Sequence, residues 1–182
     1  AWERAQDEKH QFVVGEVFAM AGATREHNVV VGNVVGELRS SLRERPCEVY
    51  PSDMRVAVAG ARLYTYPDVS VVCGPAEFAD LARDTLTNPV VLVEVLSPST
   101  EAYDRGDKFA AYRGLTSLRD YVLVSTSQVL VEHYARQPDG GWLLHEHRAG
   151  GRVQLSIGVE LAVDEVYLKV FAPQGREPAA AG

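Results

Sequence analysis

One run of apolar residues constrains the fold of this chain more than any other feature. Residues 90–96 read Val-Val-Leu-Val-Glu-Val-Leu, which is strand length and much shorter than the roughly 20 residues of a membrane span. Such a run predicts a central strand that is buried on both faces. Glu94 lies inside it, and burying a carboxylate without a partner is costly. Glu94 therefore needs a partner, which is either a buried basic side chain such as an arginine or a bound cation.

Asp68 opens a second predicted strand, in the segment Tyr-Pro-Asp-Val-Ser-Val-Val at 66–72. Taken alone, Asp68 is as typical of a turn or a strand end as of a functional site. Two carboxylates that lie near each other repel, and a bound cation removes that repulsion. An acid pair with a nearby lysine would indicate metal-assisted hydrolysis, with phosphodiesters as the leading substrates.

Asp104, Lys108 and Tyr112 follow at intervals of four residues. Side chains with this spacing share one face of a helix, and a short helix is predicted over residues 105–113, with Asp104 as its N-cap. One explanation is a surface ion pair beside a packed tyrosine, which contributes little to stability. The other is that Lys108 leans back over the end of the Glu94 strand, because only a short loop separates the two elements.

Four of the five histidines are candidates for a functional role. Glu16 and His27 flank the loop after the first predicted hairpin, and His27 is expected in a first helical turn, where an imidazole can bind a metal, contact phosphate or cap a hydrogen bond. His133, His145 and His147 lie on later predicted strands. His145 and His147 share one strand face, so a metal role is open. With no third ligand at a recognisable spacing, the late histidines are expected to be exposed.

Composition predicts one soluble globular domain. The chain has 182 residues, of which 46% are hydrophobic and 24% charged. A net charge of −7 argues against a general nucleic-acid coat protein, although acids clustered at a metal site would be compatible with a nuclease. The polar first ten residues predict no signal peptide. Cys47 and Cys73 fit no metal spacing and no disulfide framework, so a reducing cytoplasm is the expected location.

The order of predicted elements is typical of an α/β or α+β domain around one mixed sheet. A hairpin over 9–14 and 16–20 turns at Gly15, and a helix capped by Thr24 extends to about Arg45. Residues 78–81 are predicted to form a helical turn. Asp107 would complete a capping box with Asp104, and Gly114 would end that helix. The domain is expected over residues 1–173, followed by a flexible tail at 174–182. The remaining predicted strands cover 48–50, 54–58, 63–66, 69–73, 90–96, 121–125, 129–136, 142–147 and 153–156.

From about Phe12 to Tyr167, the chain resembles the Uma-two-like restriction endonucleases, a branch of the PD-(D/E)XK nuclease superfamily. The resemblance rests on Gly-Glu at 15–16 with the downstream His27, on Pro-Asp-Val-Ser-Val-Val at 67–72, and on Glu-Val-Leu-Ser-Pro-Ser-Thr at 94–100. Asp104, Lys108, Tyr112 and the Asp-Tyr-Val-Leu-Val strand at 120–124 complete it. The segment at 94–100, with its downstream Asp, Lys and Tyr, is highly specific for this family. The Pro-Asp dipeptide alone would be weak evidence for it.

This resemblance implies a restriction-endonuclease-like α/β (α+β) fold, with a central mixed sheet flanked by helices and with additional β-hairpins. It also implies that Asp68 and Glu94 ligate Mg²⁺, for which Mn²⁺ can substitute. The superfamily places a lysine two residues after the second acid, where this chain has Leu96, and Lys108 from the next helix would replace it. Relatives often end the strand at 123–125 with an acid, where this chain has Ser125.

The supporting residues follow from the same resemblance. Asp104 and Tyr112 would position Lys108, and Glu16 would add or support a metal ligand. Arg105 and Arg113 would contact phosphates that flank the cleavage point, which would make DNA binding depend on salt.

Two other functions remain open at this point. The domain could be a non-catalytic binding or dimerisation module, since nuclease-like folds can lose their chemistry. It could also be a metal-dependent hydrolase of small phosphate compounds. DNA is the expected partner of the leading hypothesis, with no membrane association, and a homodimer would suit the cutting of two strands.

Overall fold

The computed structural model describes residues 2–13, 15–19 and 22–171. Within them, a six-stranded sheet has the order β11-β10-β9-β8-β6-β3, a five-stranded sheet has the order β2-β1-β5-β4-β7, and β12 pairs with β13. The strands are β1 (His10–Val13), β2 (Glu16–Ala19), β3 (Cys47–Pro51), β4 (Arg55–Val58), β5 (Leu63–Thr65), β6 (Val69–Cys73), β7 (Thr85–Leu86), β8 (Val91–Leu96), β9 (Asp120–Ser125), β10 (Val131–Arg136), β11 (Trp142–His147), β12 (Arg152–Leu155) and β13 (Val159–Ala162).

The helices are few and mostly short. They are α1 (Arg25–Ser41), α2 (Glu101–Tyr103), a π-helical segment (Asp104–Lys108), α3 (Phe109–Tyr112) and α4 (Val163–Val166), with 3-10 turns at Glu3–Ala5 and Ala59–Ala61. Among the described residues, no helix combines the length and the apolar character that crossing a membrane requires.

Strand β8 is central, as its apolar sequence predicts. It pairs antiparallel with β6 and parallel with β9, so the sheet is mixed. All six of its residues are buried. Alternate side chains of β8 belong to two separate hydrophobic cores. Val91, Val93 and Val95 pack toward α1. Leu92 and Leu96 pack with Tyr112 on the other face of the sheet. Glu94 therefore points to the face that carries the helical segment 101–112.

Helix α1 begins as predicted, with the Thr24 hydroxyl accepting a hydrogen bond from the backbone N–H of His27. Val30, Val34 and Leu38 form its buried stripe. The predicted end at Arg45 is wrong, because the helix ends at Ser41 and turns fill the interval before β3. The helix therefore ends about one turn before the predicted position, ahead of Pro46, which disfavours helical backbone at the residue before it.

The second helical region differs from the sequence prediction. Asp104 is not an N-cap, because the helix begins at Glu101 and Asp104 already has helical backbone angles. Asp104 to Lys108 form a π-helical turn between two α-helical turns. Such turns occur as single insertions in helices, often at functional sites, and capping rules do not reveal them.

The single mixed sheet predicted from element order is also wrong. The hairpin β1–β2 joins β5, β4 and β7 in a separate five-stranded sheet. Gly15 has φ 105°, a backbone conformation that favours glycine, which agrees with its predicted place at the turn. Positions 14 and 20 of the predicted hairpin, and the predicted tail at 174–182, lie outside the described residues. The helical turn predicted over 78–81 is absent from the described structure, where Phe78 instead forms a β-bridge with Leu86.

Cys47 and Cys73 form a disulfide bond, which contradicts the expectation that they belong to no disulfide framework. They lie directly opposite each other in the antiparallel pair β3–β6. Sequence spacing could not reveal this pairing, because it depends on the register of two strands 26 residues apart. The cytoplasmic location, which rested on unpaired cysteines, stays a prediction without that support.

Reduction of this disulfide is expected to lower the free energy of unfolding by about 3 kcal/mol, because the cross-link restricts the unfolded chain. Urea unfolding with and without dithiothreitol would measure the difference. The double variant C47S/C73S is the control, since a reductant should not change its stability. Equal wild-type stability in both buffers would contradict the prediction.

Candidate active site

The sheet brings Asp68 and Glu94 together. In the antiparallel pair β6–β8, Val69 lies opposite Val93, so one step further along the ladder places Asp68 opposite Glu94. The two side chains then share the face that carries the helical segment. The backbone N–H of Val95 donates to Asp68 Oδ2 at 2.7 Å, which holds the Asp68 carboxylate against the end of β8. The turn-acid explanation of Asp68 is therefore incomplete, since its carboxylate reaches the central strand.

Glu94 is buried, with 3% of its surface exposed. Lys108 Nζ lies 2.8 Å from Glu94 Oε1, and the Tyr112 hydroxyl donates to the same oxygen at 2.9 Å. A buried basic partner was one of the alternatives, and the structure identifies it as a lysine rather than an arginine. Its presence does not exclude a cation, because these contacts all involve one of the two carboxylate oxygens.

Lys108 also contacts Asp104, with 3.1 Å between Nζ and Oδ1. Both side chains are buried, so the surface ion-pair explanation is wrong. The π-helical turn carries both residues and directs them inward over the end of β8. Lys108 does lean back toward the Glu94 strand, as its position in the sequence suggested.

The charges of this cluster do not cancel. Glu94 and Asp104 are two carboxylates in contact with the one ammonium group of Lys108, and Asp68 adds a negative charge near Glu94. Burial raises the pKa of Glu94 to about 8, Lys108 opposes this, and Asp104 and Asp68 add to it. The pKa of Lys108 is raised because the charges of Glu94 and Asp104 outweigh the effect of its burial, so Lys108 is protonated. The remaining negative charge calls for either a proton on Glu94 or a bound cation.

The oxygen atoms of the acids fit a hard divalent cation. The described contacts of Asp68 go to Oδ2 and those of Glu94 to Oε1, so Oδ1 and Oε2 are open to a ligand. Mg²⁺ prefers such oxygens, keeps several waters and is often bound by only one or two carboxylates. Within the part of the chain that the structure describes, no three His, Cys, Asp or Glu side chains converge as a complete cage. A metal held here by Asp68 and Glu94 would therefore need water to complete its coordination.

His27 belongs to the same cluster. The cap at Thr24 places it in the first turn of α1, and its Nε2 lies 3.3 Å from Asp68 Oδ2. Its Nδ1 is buried and has no hydrogen-bond partner among the described residues. The structure therefore favours a role for His27 in orienting the Asp68 carboxylate. A role in contacting phosphate stays a prediction.

Three other predicted site residues, Glu16, Arg105 and Arg113, make no described contact with the acid cluster. Glu16 is exposed on β2, and among the described residues it makes no hydrogen bond or ion pair with the cluster. Arg105 forms ion pairs with Glu132 at 2.5 Å and Glu101 at 3.1 Å. Arg113 is exposed, with its guanidinium over the Phe109 ring. Their proposed roles stay predictions, and Arg113 is the more available of the two arginines.

Tyr121 is a neighbour of the site that the sequence reasoning missed. Its hydroxyl donates to the backbone carbonyl of Asp104 at 3.0 Å, and its ring packs edge to face on Tyr112. Tyr121 thus holds the π-helical turn against β9. The sequence does place Tyr121 in an apolar strand, the segment Asp-Tyr-Val-Leu-Val at 120–124. A tyrosine buried in such a strand needs a polar partner for its hydroxyl, so this position could have been noticed.

Replacing Tyr112 by phenylalanine tests whether a hydrogen bond orients Glu94. We expect the variant Tyr112→Phe to fold, to lose about 1 kcal/mol of stability, and to bind Mg²⁺ about 10-fold more weakly. Urea unfolding would measure the loss of stability, and calorimetry would measure the Mg²⁺ affinity. Tyr64→Phe, at an exposed position on β5, is the matched control. Unchanged Mg²⁺ affinity in Tyr112→Phe would contradict the orienting role.

Comparison with known proteins identifies the family of this chain. The model of the Uma2 family, described as "Putative restriction endonuclease", matches residues 1–164. Two relatives come from Synechocystis sp.: "Uncharacterized protein slr1290" is 40% identical over 91% of this chain and 87% of its own length, and "Uncharacterized protein sll1609" is 37% identical over 79% and 81%.

A crystal structure described as a putative nuclease belonging to DUF820, from Anabaena variabilis, shares the fold. The TM-score is 0.74 at 15% identity, and the match covers 91% of this chain and 93% of that one. The predicted fold class is confirmed, as is the resemblance from which it came. The chain therefore belongs to the Uma2 family and has the restriction-endonuclease-like fold.

Proposed function

We propose that this protein is a metal-dependent endonuclease that hydrolyses phosphodiester bonds of DNA. The observation that carries the proposal is the cluster of the half-buried Asp68 with the buried Glu94 and Lys108, in which the two acids keep one oxygen each open to a ligand. A binding module would have no need for such a costly arrangement. Family membership and the related nuclease structure support a nuclease as the class of enzyme.

Asp68 and Glu94 would hold Mg²⁺, or Mn²⁺ in its place, with help from the backbone carbonyl of Val95. Bound there, the metal would polarise a non-bridging phosphate oxygen and lower the pKa of a coordinated water. In this hydrolysis the attacking water would release a proton to solvent and its oxygen would bond to phosphorus, while the bond from phosphorus to the leaving oxygen breaks and that oxygen takes up a proton from solvent. His27 and Tyr112 keep the two carboxylates oriented during this exchange.

Lys108 acts as a cation and hydrogen-bond donor in this proposal. Two roles were open for it, namely to orient the attacking water or to deprotonate it. Because its pKa is raised, Lys108 carries its proton and is a poor base. Its ammonium group would instead orient the water and offset the negative charge that develops on the phosphate. Asp104 fixes its position through the i,i+4 contact.

Arg113 is the better of the two proposed DNA contacts. With Phe109, Tyr134, Arg136 and Trp142 it lines an open groove beside α3. The Arg105 guanidinium is already neutralised by two glutamates, so its contact with phosphate would require breaking those pairs. We include both residues in the proposal. A homodimer and a cytoplasmic location are further proposals of the same kind.

Plasmid nicking tests the proposed function. Supercoiled DNA should be nicked in Mg²⁺ or Mn²⁺ and left intact in EDTA. A substrate panel of plasmid, single-stranded DNA and a small phosphate ester separates the alternatives: turnover of the ester alone would favour a small-molecule hydrolase. Metal binding without turnover of any of these substrates would favour a catalytically silent module.

A further inference from the structure

Three histidines meet at the outer edge of the six-stranded sheet, away from the acid cluster. His133 lies on β10, and His145 and His147 lie on β11. Their ring centroids form a nearly equilateral triangle, with 6.3 Å between His133 and His145, 6.2 Å between His133 and His147, and 6.3 Å between His145 and His147. The proposed nuclease site uses none of these side chains.

Strand register produces this triangle. His133 lies directly opposite His145 in the antiparallel pair β10–β11, and His147 is the next residue of β11 on the same face. The sequence shows only the i,i+2 pair on β11, so the missing third ligand comes from the neighbouring strand. The expectation that all three histidines are exposed is wrong for His133, which is 3% exposed.

Two contacts prepare the cluster for a ligand. His133 Nε2 lies 2.8 Å from Asp120 Oδ1, a carboxylate–imidazole contact that orients the ring and leaves Nδ1 for another partner. Asp120 is itself held through Oδ2 by the backbone N–H of Ser156. His147 Nε2 is buried and has no hydrogen-bond partner among the described residues. A buried ring nitrogen in this state is unusual, because buried polar atoms are nearly always paired.

We propose that His133, His145 and His147 bind a transition-metal ion of the Zn²⁺ class. Imidazole nitrogens favour Zn²⁺, Cu²⁺ and Ni²⁺ over the Mg²⁺ proposed at the acid cluster. Three histidines with a fourth position open to solvent are a known donor set for Zn²⁺. His145 is exposed, so the ion has a path of entry from solvent.

The three rings must approach each other to bind the ion, since no three such side chains of the described structure converge fully as they stand. Zn–N bonds of about 2.0–2.1 Å in a tetrahedral site correspond to ring centroids about 5 Å apart. The movement would come mainly from His145 and His147, which lie on the edge strand β11 and can shift by about 1 Å through small rotations toward the buried His133. The proposal does not depend on the nuclease assignment.

Calorimetry with Zn²⁺ tests the site, in the background D68N so that the acid cluster contributes little. We expect one Zn²⁺ per chain, and a loss of affinity of about 100-fold in the H145A and H147A derivatives, since removing a ligand costs at least as much as removing its support. E146Q, between the two histidines on the opposite strand face, is the matched control and should bind as its parent does.

The variants H145A and H147A are chosen because H133A would leave Asp120 Oδ1 buried without its imidazole partner. Co²⁺ provides a second readout, because tetrahedral Co²⁺ with nitrogen ligands absorbs visible light and octahedral aqueous Co²⁺ absorbs only weakly. Absence of Zn²⁺ binding in the D68N parent, or equal affinity in H145A and the parent, would overturn the proposal. Nicking would be measured on H145A and H147A in the background that keeps Asp68. Wild-type nicking by these variants, together with their loss of Zn²⁺ binding, would show that the two sites are separate.

Discussion

The variant Asp68→Asn is expected to lose Mg²⁺-dependent nicking by about 100-fold or more, and to bind Mg²⁺ much more weakly. Asparagine keeps an oxygen that can accept the hydrogen bond from the Val95 N–H, so the local backbone contact survives. The substitution removes the negative charge and places an NH2 group, which does not ligate a metal, where the open carboxylate oxygen was. It is therefore a sharper test than alanine, which would also leave the Val95 N–H unpaired.

Nicking assays and Mg²⁺ calorimetry on the same samples measure both effects. Asp53→Asn is the matched control, because Asp53 is highly exposed and its carboxylate pairs only with Lys9 among its described contacts. Circular dichroism and urea unfolding would show whether the Asp68 variant keeps its fold. Nicking by Asp68→Asn at the wild-type rate would remove Asp68 from the catalytic machinery and weaken the proposed function.

The pairing of Asp68 with Glu94 shows how far sequence reasoning extended. Apolar runs identified β6 and β8, and the carboxylate inside β8 indicated a functional cluster because burial of a charge is costly. The family resemblance added the assignment of Lys108. Spacing alone could not show whether Lys108 was a surface residue or a buried one, because the helix that carries it has both buried and exposed faces.

What the sequence could not show depends on contacts between distant segments or on irregular backbone. The Cys47–Cys73 disulfide and the histidine triangle both require the register of paired strands. The π-helical turn at Asp104–Lys108 has no sequence signature, so Asp104 resembled an N-cap. A second sheet around β5 was hidden for the same reason, since short strands do not reveal which neighbours they will pair with.

The variant Lys108→Met is expected to be strongly destabilised, by about 3–5 kcal/mol, as well as inactive. Methionine fills a similar volume but supplies no charge. Glu94 and Asp104 would then lie buried beside each other without a cation, which costs more than the lost ion pair itself contributed. Loss of activity in this variant alone would therefore not show that Lys108 is catalytic.

A double-mutant cycle with Glu94→Gln separates the two effects. Adding Glu94→Gln to Lys108→Met removes one of the uncompensated charges, so stability should recover in part while activity stays lost. The deficit of the single variant, measured by urea unfolding in EDTA, should also be larger near about pH 9.5 than near about pH 7. The stability that the proton on Glu94 provides is lost as pH rises through the folded-state pKa, which is about 8 in the wild type. Because Lys108 lowers this pKa, the variant has a higher one and goes on losing stability above about pH 8, where the wild type no longer does. A deficit that is independent of pH, with no recovery in the double variant, would mean that Lys108 stabilises the fold through packing rather than through its charge.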